Sequence, residues 1–342
     1  MRPVDPQKPS INPRELLRRE GPVGLARLLA TTGYMIQQRV LNDTVQSIMS
    51  SMPLLAEGDR GGGKTALAEG VADACNLPVF YLQGMEGLSL ADVLYSWDAI
   101  GQETFVRQAL ESGDTLLAAR ERQWSAEFLV LGEALAAYEL AAREGVCPIL
   151  IIDEIDKLPE RIEDMLLQLF GRGFASVPRF GDVGVKDEAL WPIVFLLSNN
   201  IRHDLSAPLR SRCVYTWVDL PSPREGVAIL CSRVPEAPME TVAWVAKMLD
   251  SIRDVQGVVD KPALREGISV LKALVRDDVK HIDEEVLGKY VCHLAKRHND
   301  RDYLSQSLGR VVNDVNSAHV EIDAWVAEEF ALRNRSEFRV AA

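Results

Sequence analysis

The residue types and spacing with the clearest chemistry are Gly58-Asp59-Arg60-Gly61-Gly62-Gly63-Lys64-Thr65, which fit the pattern G-x-x-x-x-G-K-S/T. Glycines let backbone N–H groups turn toward phosphate oxygens, and a helix starting at the end of the loop points its positive pole at them. Lys64 then reaches the β and γ phosphates of ATP, and Thr65 offers a hydroxyl to Mg2+. Apolar Leu54-Leu55-Ala56 lies before the loop and an Ala-rich stretch after it, the strand and helix that the chemistry requires. The bland alternative, a Gly-rich turn from strand to helix, leaves the Lys64-Thr65 pair without a purpose.

Three further groups fall into place around such a loop. Ile149-Leu150-Ile151-Ile152 ends in Asp153-Glu154, which puts two carboxylates at the tip of a central strand beside the phosphates. Asp153 suits a metal site reached through water, and Glu154 suits the work of orienting or deprotonating the attacking water. Ile193-Val194-Phe195-Leu196-Leu197 runs into Ser198-Asn199-Asn200; Asn199 is the first choice and Asn200 the second for an amide that positions water, and a helix-capping or turn role is the other reading. Arg210 and Arg212 lie around the end of a short helix. A guanidinium there either stabilises developing charge on a phosphate of a neighbouring subunit or makes surface ion pairs.

These groups need a sheet to hold them. Short apolar runs at 53–56, 78–82, 148–152, 192–197 and 213–218 alternate with helical patterns, so a buried parallel sheet flanked by helices is expected. About sixty residues between the second and third runs form an inserted helical segment, with 101–125 as its centre. The stretch 173–189 alternates apolar and polar residues around Gly181 and Gly184, which predicts a hairpin. Pro221-Ser222-Pro223 breaks the chain, and beyond it apolar positions recur only at helical spacing, as in Val242, Val245, Ala246 and Leu249. The organisation expected is a flexible, proline-rich leader at 1–13, an αβα nucleotide-binding domain at 14–220, and a helical domain at 221–342.

The 342 residues carry 50 acidic and 38 basic side chains, a net charge of −12, which argues against a surface built to hold nucleic-acid phosphates. No run approaches the roughly eighteen apolar residues of a membrane span and the first residues lack a signal-peptide core, so a cytoplasmic protein is expected. Cys75, Cys147, Cys213, Cys231 and Cys292 stand far apart and read as free, mostly buried thiols. His293 and His298, five apart on a presumed helix, point to different faces and do not make a metal pair.

Beyond these motifs the chain resembles the MoxR family of AAA+ ATPases, close to the branch associated with carbon monoxide dehydrogenase maturation. The resemblance rests on Thr32-Gly33-Tyr34, the GDRGGGKT loop, Leu82-Gln83-Gly84-Met85-Glu86-Gly87-Leu88 with Leu94-Tyr95-Ser96-Trp97, and Leu150 through Asp156. It continues through Leu197-Ser198-Asn199-Asn200 and Arg210 through Asp219. It implies Walker A at Lys64 and Thr65, Walker B at Asp153 and Glu154, sensor 1 at Asn199, and an arginine finger at Arg212, with Arg210 second. Arg265 lies where the family's helical lid carries sensor 2, and a solvated helix arginine reads equally well there. The phosphate loop departs from its relatives at Arg60-Gly61-Gly62. The resemblance further implies a hexameric ring with ATP between subunits, a partner bearing a von Willebrand factor A domain, a protein substrate, and a hairpin around 174–185 lining the ring pore. Two other readings stand beside this chaperone-like remodeller: a nucleic-acid motor, disfavoured by the charge, and an ATP-dependent assembly switch, disfavoured by an intact Glu154.

Overall fold

The computed structural model describes residues 1–199 and 205–335. Its nine strands among the described residues are β1 (Leu54–Glu57), β2 (Val79–Gln83), β3 (Tyr95–Trp97), β4 (Leu129–Leu131), β5 (Ile149–Asp153), β6 (Phe174–Val177), β7 (Gly181–Gly184), β8 (Ile193–Ser198) and β9 (Val214–Trp217). Five of them form one parallel sheet in the order β2-β5-β8-β1-β9. These are the five apolar runs of the sequence. The central strands β5 and β8 are apolar on both faces because helices cover both sides. Leu55, Phe80, Leu150, Ile152 and Leu196 meet Tyr138 and Leu166 of the flanking helices in one buried core. This is the AAA+ P-loop NTPase fold, followed by a helical C-terminal region.

The chain divides into two compact units. The first comprises 1–28, 39–58 and 64–217; the second comprises 29–38, 59–63 and 218–342. The sequence reading instead kept 14–220 together. Two short loops belong with the second unit because their nearest neighbours lie there: Ser232 beside Gly33, and Ala263 beside Gly61. The second unit is built from helices Pro223–Arg233, Met239–Arg253, Leu264–Arg276, Glu284–Leu294, His298–Ser317 and His319–Arg335. Leu230, Val245, Leu249, Leu271, Leu274 and Val311 form its core. His293 and His298 lie on two different helices here, not on the single helix presumed from their spacing.

Two details depart from the sequence reading, and one agrees with it. Residues 2–11, expected to be a flexible leader, are tied down in the first unit. Arg2 makes a backbone bridge to Val79 and an ion pair with Asp73 at 2.7 Å, and Asn76 caps the turn through Asp5 and Lys8. Just after them, Arg14 is almost fully buried at 3% exposure, its guanidinium donating to the carbonyls of Ile48, Ala189 and Trp191 and to the Cys147 sulfur. The inserted segment is not purely helical, since β3 and β4 pair antiparallel and frame helices Ala99–Glu111 and Leu116–Arg122. The hairpin expected at 173–189 is β6–β7. Its tip packs on the insertion, with Phe180 against Trp97 at 6.2 Å and Arg179 over the ring of Trp124 at 4.8 Å.

Candidate functional site

The parallel order β5-β8-β1 brings the C-terminal ends of three strands to one edge of the sheet, and a ligand site forms at such an edge. β1 feeds the phosphate loop, and the helix Lys64–Cys75 begins at Lys64 itself. Gly61 takes φ 84°, a left-handed conformation that any side chain would strain. Within the second unit, a Cβ on Gly61 would also come 2.3 Å from that of Ala263. Ala263 caps the helix Leu264–Arg276, so the first turn of that helix, with exposed Arg265, begins where the loop passes. Asp59 and Arg60 are exposed, and Gly62 and Gly63 half-buried.

In the first unit, the Lys64 ammonium is buried and donates to the Gly58 carbonyl at 2.7 Å, folded back along the loop. The Thr65 hydroxyl donates to Asp153 Oδ2 at 3.2 Å. Asp153 is fixed on both oxygens, since Oδ1 accepts the Glu154 N–H at 2.8 Å and Oδ2 also accepts the Tyr81 hydroxyl at 2.9 Å. Burial and this bond to Asp153 push the Tyr81 phenol up. Glu154 sits in the left-handed region at φ 53°, an uncommon conformation for a non-glycine residue that clusters at functional sites. Its carboxylate accepts from Gln83 Nε2 at 2.7 Å and forms an ion pair with Lys157.

Within the first unit, hard oxygen donors at Thr65 and Asp153 beside a buried lysine fit a phosphate chain with a small divalent cation. Asn199 follows β8 at the same sheet edge and is half-buried; Asn200 lies outside the described residues. Arg210 ends the short helix Ala207–Arg210 and Arg212 follows it, both exposed. Arg212 bonds the Pro208 carbonyl at 3.1 Å, a local contact that leaves its charge at the surface. The loop lysine, Thr65, Asp153 and Glu154 are thus brought together, whereas Arg210 and Arg212 lie exposed around the end of the short helix.

Sequence reasoning missed Tyr81, Gln83 and Lys157. The signal was present in part, because Tyr81 and Gln83 alternate on one face of β2, and Lys157 lies three residues after Glu154. What the sequence withholds is the β2–β5 pairing that sets Gln83 opposite Asp153. An open cavity of about 520 Å3 lies elsewhere, on the insertion, lined by Gln102, Glu103, Arg107, Glu111 and Arg120. None of the phosphate-loop residues lines it.

Residues 53–213 match the family of the AAA domain, dynein-related subfamily. Among curated proteins, the gas vesicle ATPase GvpN of Haloferax mediterranei is 24% identical over 274 residues, covering 75% of this chain and 73% of that protein. Among solved structures, two mutants of RuvB from Thermotoga maritima are each 16% identical, cover 81% of this chain and 75% of theirs, and give TM-scores of 0.44 and 0.42. No helix among the described residues is long and apolar enough to cross a membrane. The sheet order, the phosphate loop with its acidic strand tip, and the match together make residues 53–213 an AAA domain of the dynein-related subfamily.

Proposed function

We propose that the chain is a MoxR-type AAA+ ATPase that remodels a partner protein or complex, coupling ATP hydrolysis at the interfaces of a homo-hexamer to maturation or metal-cofactor insertion. The observation that carries the ATPase reading is the 3.2 Å approach of Thr65 Oγ1 to Asp153 Oδ2 with Glu154 next in the chain. The gas vesicle relative, itself named an ATPase, supports the same chemistry. Lys64 exchanges the Gly58 carbonyl for phosphate oxygens. Thr65 and Asp153 would hold Mg2+, which would supply neutralising charge for the phosphates. Glu154 takes the proton of the attacking water, and Asn199 helps to orient that water. Arg212, with Arg210 second, is exposed as a residue serving a neighbouring subunit must be, and Arg265 serves as sensor 2. A von Willebrand factor A domain partner, a protein substrate and a cytoplasmic setting complete the reading, as the MoxR resemblance implies.

One observation favours a second reading, an ATP-dependent assembly switch: Gln83 and Lys157 both engage the Glu154 carboxylate. Steady-state ATP hydrolysis against protein concentration, with light-scattering mass, separates the two. A specific rate that rises as particles reach several subunits, and that Glu154→Gln abolishes, supports the remodeller. Assembly on ATP without hydrolysis supports the switch, and a concentration-independent rate from a monomer refutes shared active sites.

A further inference from the structure

The Tyr81 hydroxyl has one proton and two acceptors, Asp153 Oδ2 and Gln83 Oε1, each at 2.9 Å. Gln83 in turn donates through Nε2 to Glu154 Oε2 at 2.7 Å. The Tyr81 hydroxyl therefore stands between two arms, Thr65 and Asp153 on one side and Gln83 and Glu154 on the other, and can donate to only one of them at a time. We propose that Tyr81 is a positioning residue that transmits the engagement of Asp153 to Glu154, an inference that rests on the ATPase reading above.

The backbone accounts for the juxtaposition. β2 and β5 run parallel with Gln83 opposite Asp153 and Tyr81 opposite Ile151, so Tyr81 and Gln83 lie on one face, two residues apart. A phenol donates only one hydrogen bond. With Asp153 ionised, its oxygen is the stronger acceptor, and Tyr81 gives its proton there. Gln83 Oε1 then faces a phenolic lone pair and its amide is weakly held. A divalent cation held at Asp153 would compete for that carboxylate, its pull on the phenol would fall, and the proton would turn to Gln83 Oε1. That bond fixes and polarises the amide whose Nε2 orients Glu154. Tyr81 exchanges one acceptor for another at equal distance, so the change forfeits no hydrogen bond. Its side of the path is open to solvent, at 41% exposure, which leaves the hydroxyl room to turn. The hold of Gln83 on Glu154 thereby tightens once Asp153 is loaded.

Tyr81→Phe removes the hydroxyl and keeps the ring. Binding of a fluorescent ADP analogue, measured with MgCl2 and with EDTA, should show the metal-linked gain in affinity raised about threefold, because the bond from Tyr81 to Asp153 is made only without the metal and opposes its loading. The kcat for ATP should fall about five- to tenfold with KM within twofold and an unchanged melting temperature. Gln83→Leu should lower kcat similarly and reduce the metal-linked gain, because Tyr81 then has no second acceptor to turn to, and the double variant should lose no more kcat than either single one, the mark of residues acting in one path. A wild-type kcat and metal-linked gain in Tyr81→Phe, or additive losses in the double variant, overturn the proposal. Should Tyr81→Phe melt early, Gln83→Leu decides: an unchanged kcat overturns the path. A wild-type protein that never hydrolyses ATP refutes the ATPase reading instead, and the binding arm still tests Tyr81.

Discussion

Gly84 follows β2 at the point where the chain passes the acidic tip of β5. Its N–H donates to the Asp153 carbonyl at 2.7 Å. A Cβ placed there would lie 2.1 Å from the Glu154 carbonyl oxygen, 2.8 Å from its carbon and 2.9 Å from the Asp153 oxygen. All three obstacles are backbone, so no side chain can swing aside. Gly84→Ala therefore has to push the Glu154 carbonyl away by about 1.3 Å, from 2.1 Å to the 3.4 Å at which ordinary contact begins. A displacement of about 1 Å at catalytic groups lowers turnover by about a hundredfold, roughly 2.7 kcal/mol of transition-state stabilisation. The overpacking itself costs about 1–3 kcal/mol of fold stability. Lys64 and the phosphate loop are not displaced, so nucleotide affinity should change less than threefold. Steady-state hydrolysis, binding of a fluorescent ADP analogue and a thermal melt, run on the same preparation, separate these effects. A variant with kcat within threefold of wild type refutes the steric reasoning. So does a loss of binding equal to the loss of turnover, because the lesion would then lie at the loop.

Lys64→Ala, which removes the buried ammonium now held by Gly58, should abolish nucleotide binding, whereas Glu154→Gln should retain ATP and stop turnover; equilibrium binding beside phosphate release checks both, and normal hydrolysis by Glu154→Gln would refute its role. Arg212→Ala should lower hydrolysis with nucleotide affinity nearly unchanged, and mixing it with Lys64→Ala should restore part of the rate if the arginine acts in a neighbouring subunit; mixtures with no recovery would leave it a surface residue. In the second unit, the Arg276 guanidinium and then the Tyr290 hydroxyl hold the Asp277 carboxyl down to about 2. A depressed carboxyl adds stability that is fully present above its unfolded value near 4 and is lost as pH falls toward 2. Asp277→Asn should accordingly flatten the fall in melting temperature between about pH 4 and pH 2, and an unchanged slope would show that the pair does not stabilise the fold.

The five sheet strands were legible because each is a continuous apolar run between breakers, and a strand buried on both faces has that signature. The β6–β7 hairpin was legible from alternation around Gly181 and Gly184. By contrast, β3 and β4 are three residues each and sit among helix formers, too short to show a period. The attached leader was invisible for another reason: its order comes from Asp73, Asn76 and Val79, residues some seventy positions away. At the site, the loop, Asp153 and Glu154 follow from local spacing. Tyr81, Gln83 and Lys157 acquire meaning only once β2 lies beside β5, and sequence order does not fix which strands become neighbours. The grouping of residues 59–63 with the second unit likewise depends on Gly61 meeting Ala263, two hundred positions later in the chain.

The recognisable AAA segment begins at residue 53, yet the guanidinium of Arg14 supplies the donors for three main-chain carbonyls and a thiol inside the first unit. An expression boundary drawn at the family match would remove Arg14 together with Ile48, leaving the Trp191 carbonyl to the Cys147 thiol alone and the Ala189 carbonyl without this donor, at a penalty of about 1–3 kcal/mol. Such a fragment would carry Gly58, Lys64, Thr65, Asp153 and Glu154 and still be a poor protein to assay. The shortest version of this domain suited to biochemistry starts no later than Pro13, where the helix that carries Arg14 begins.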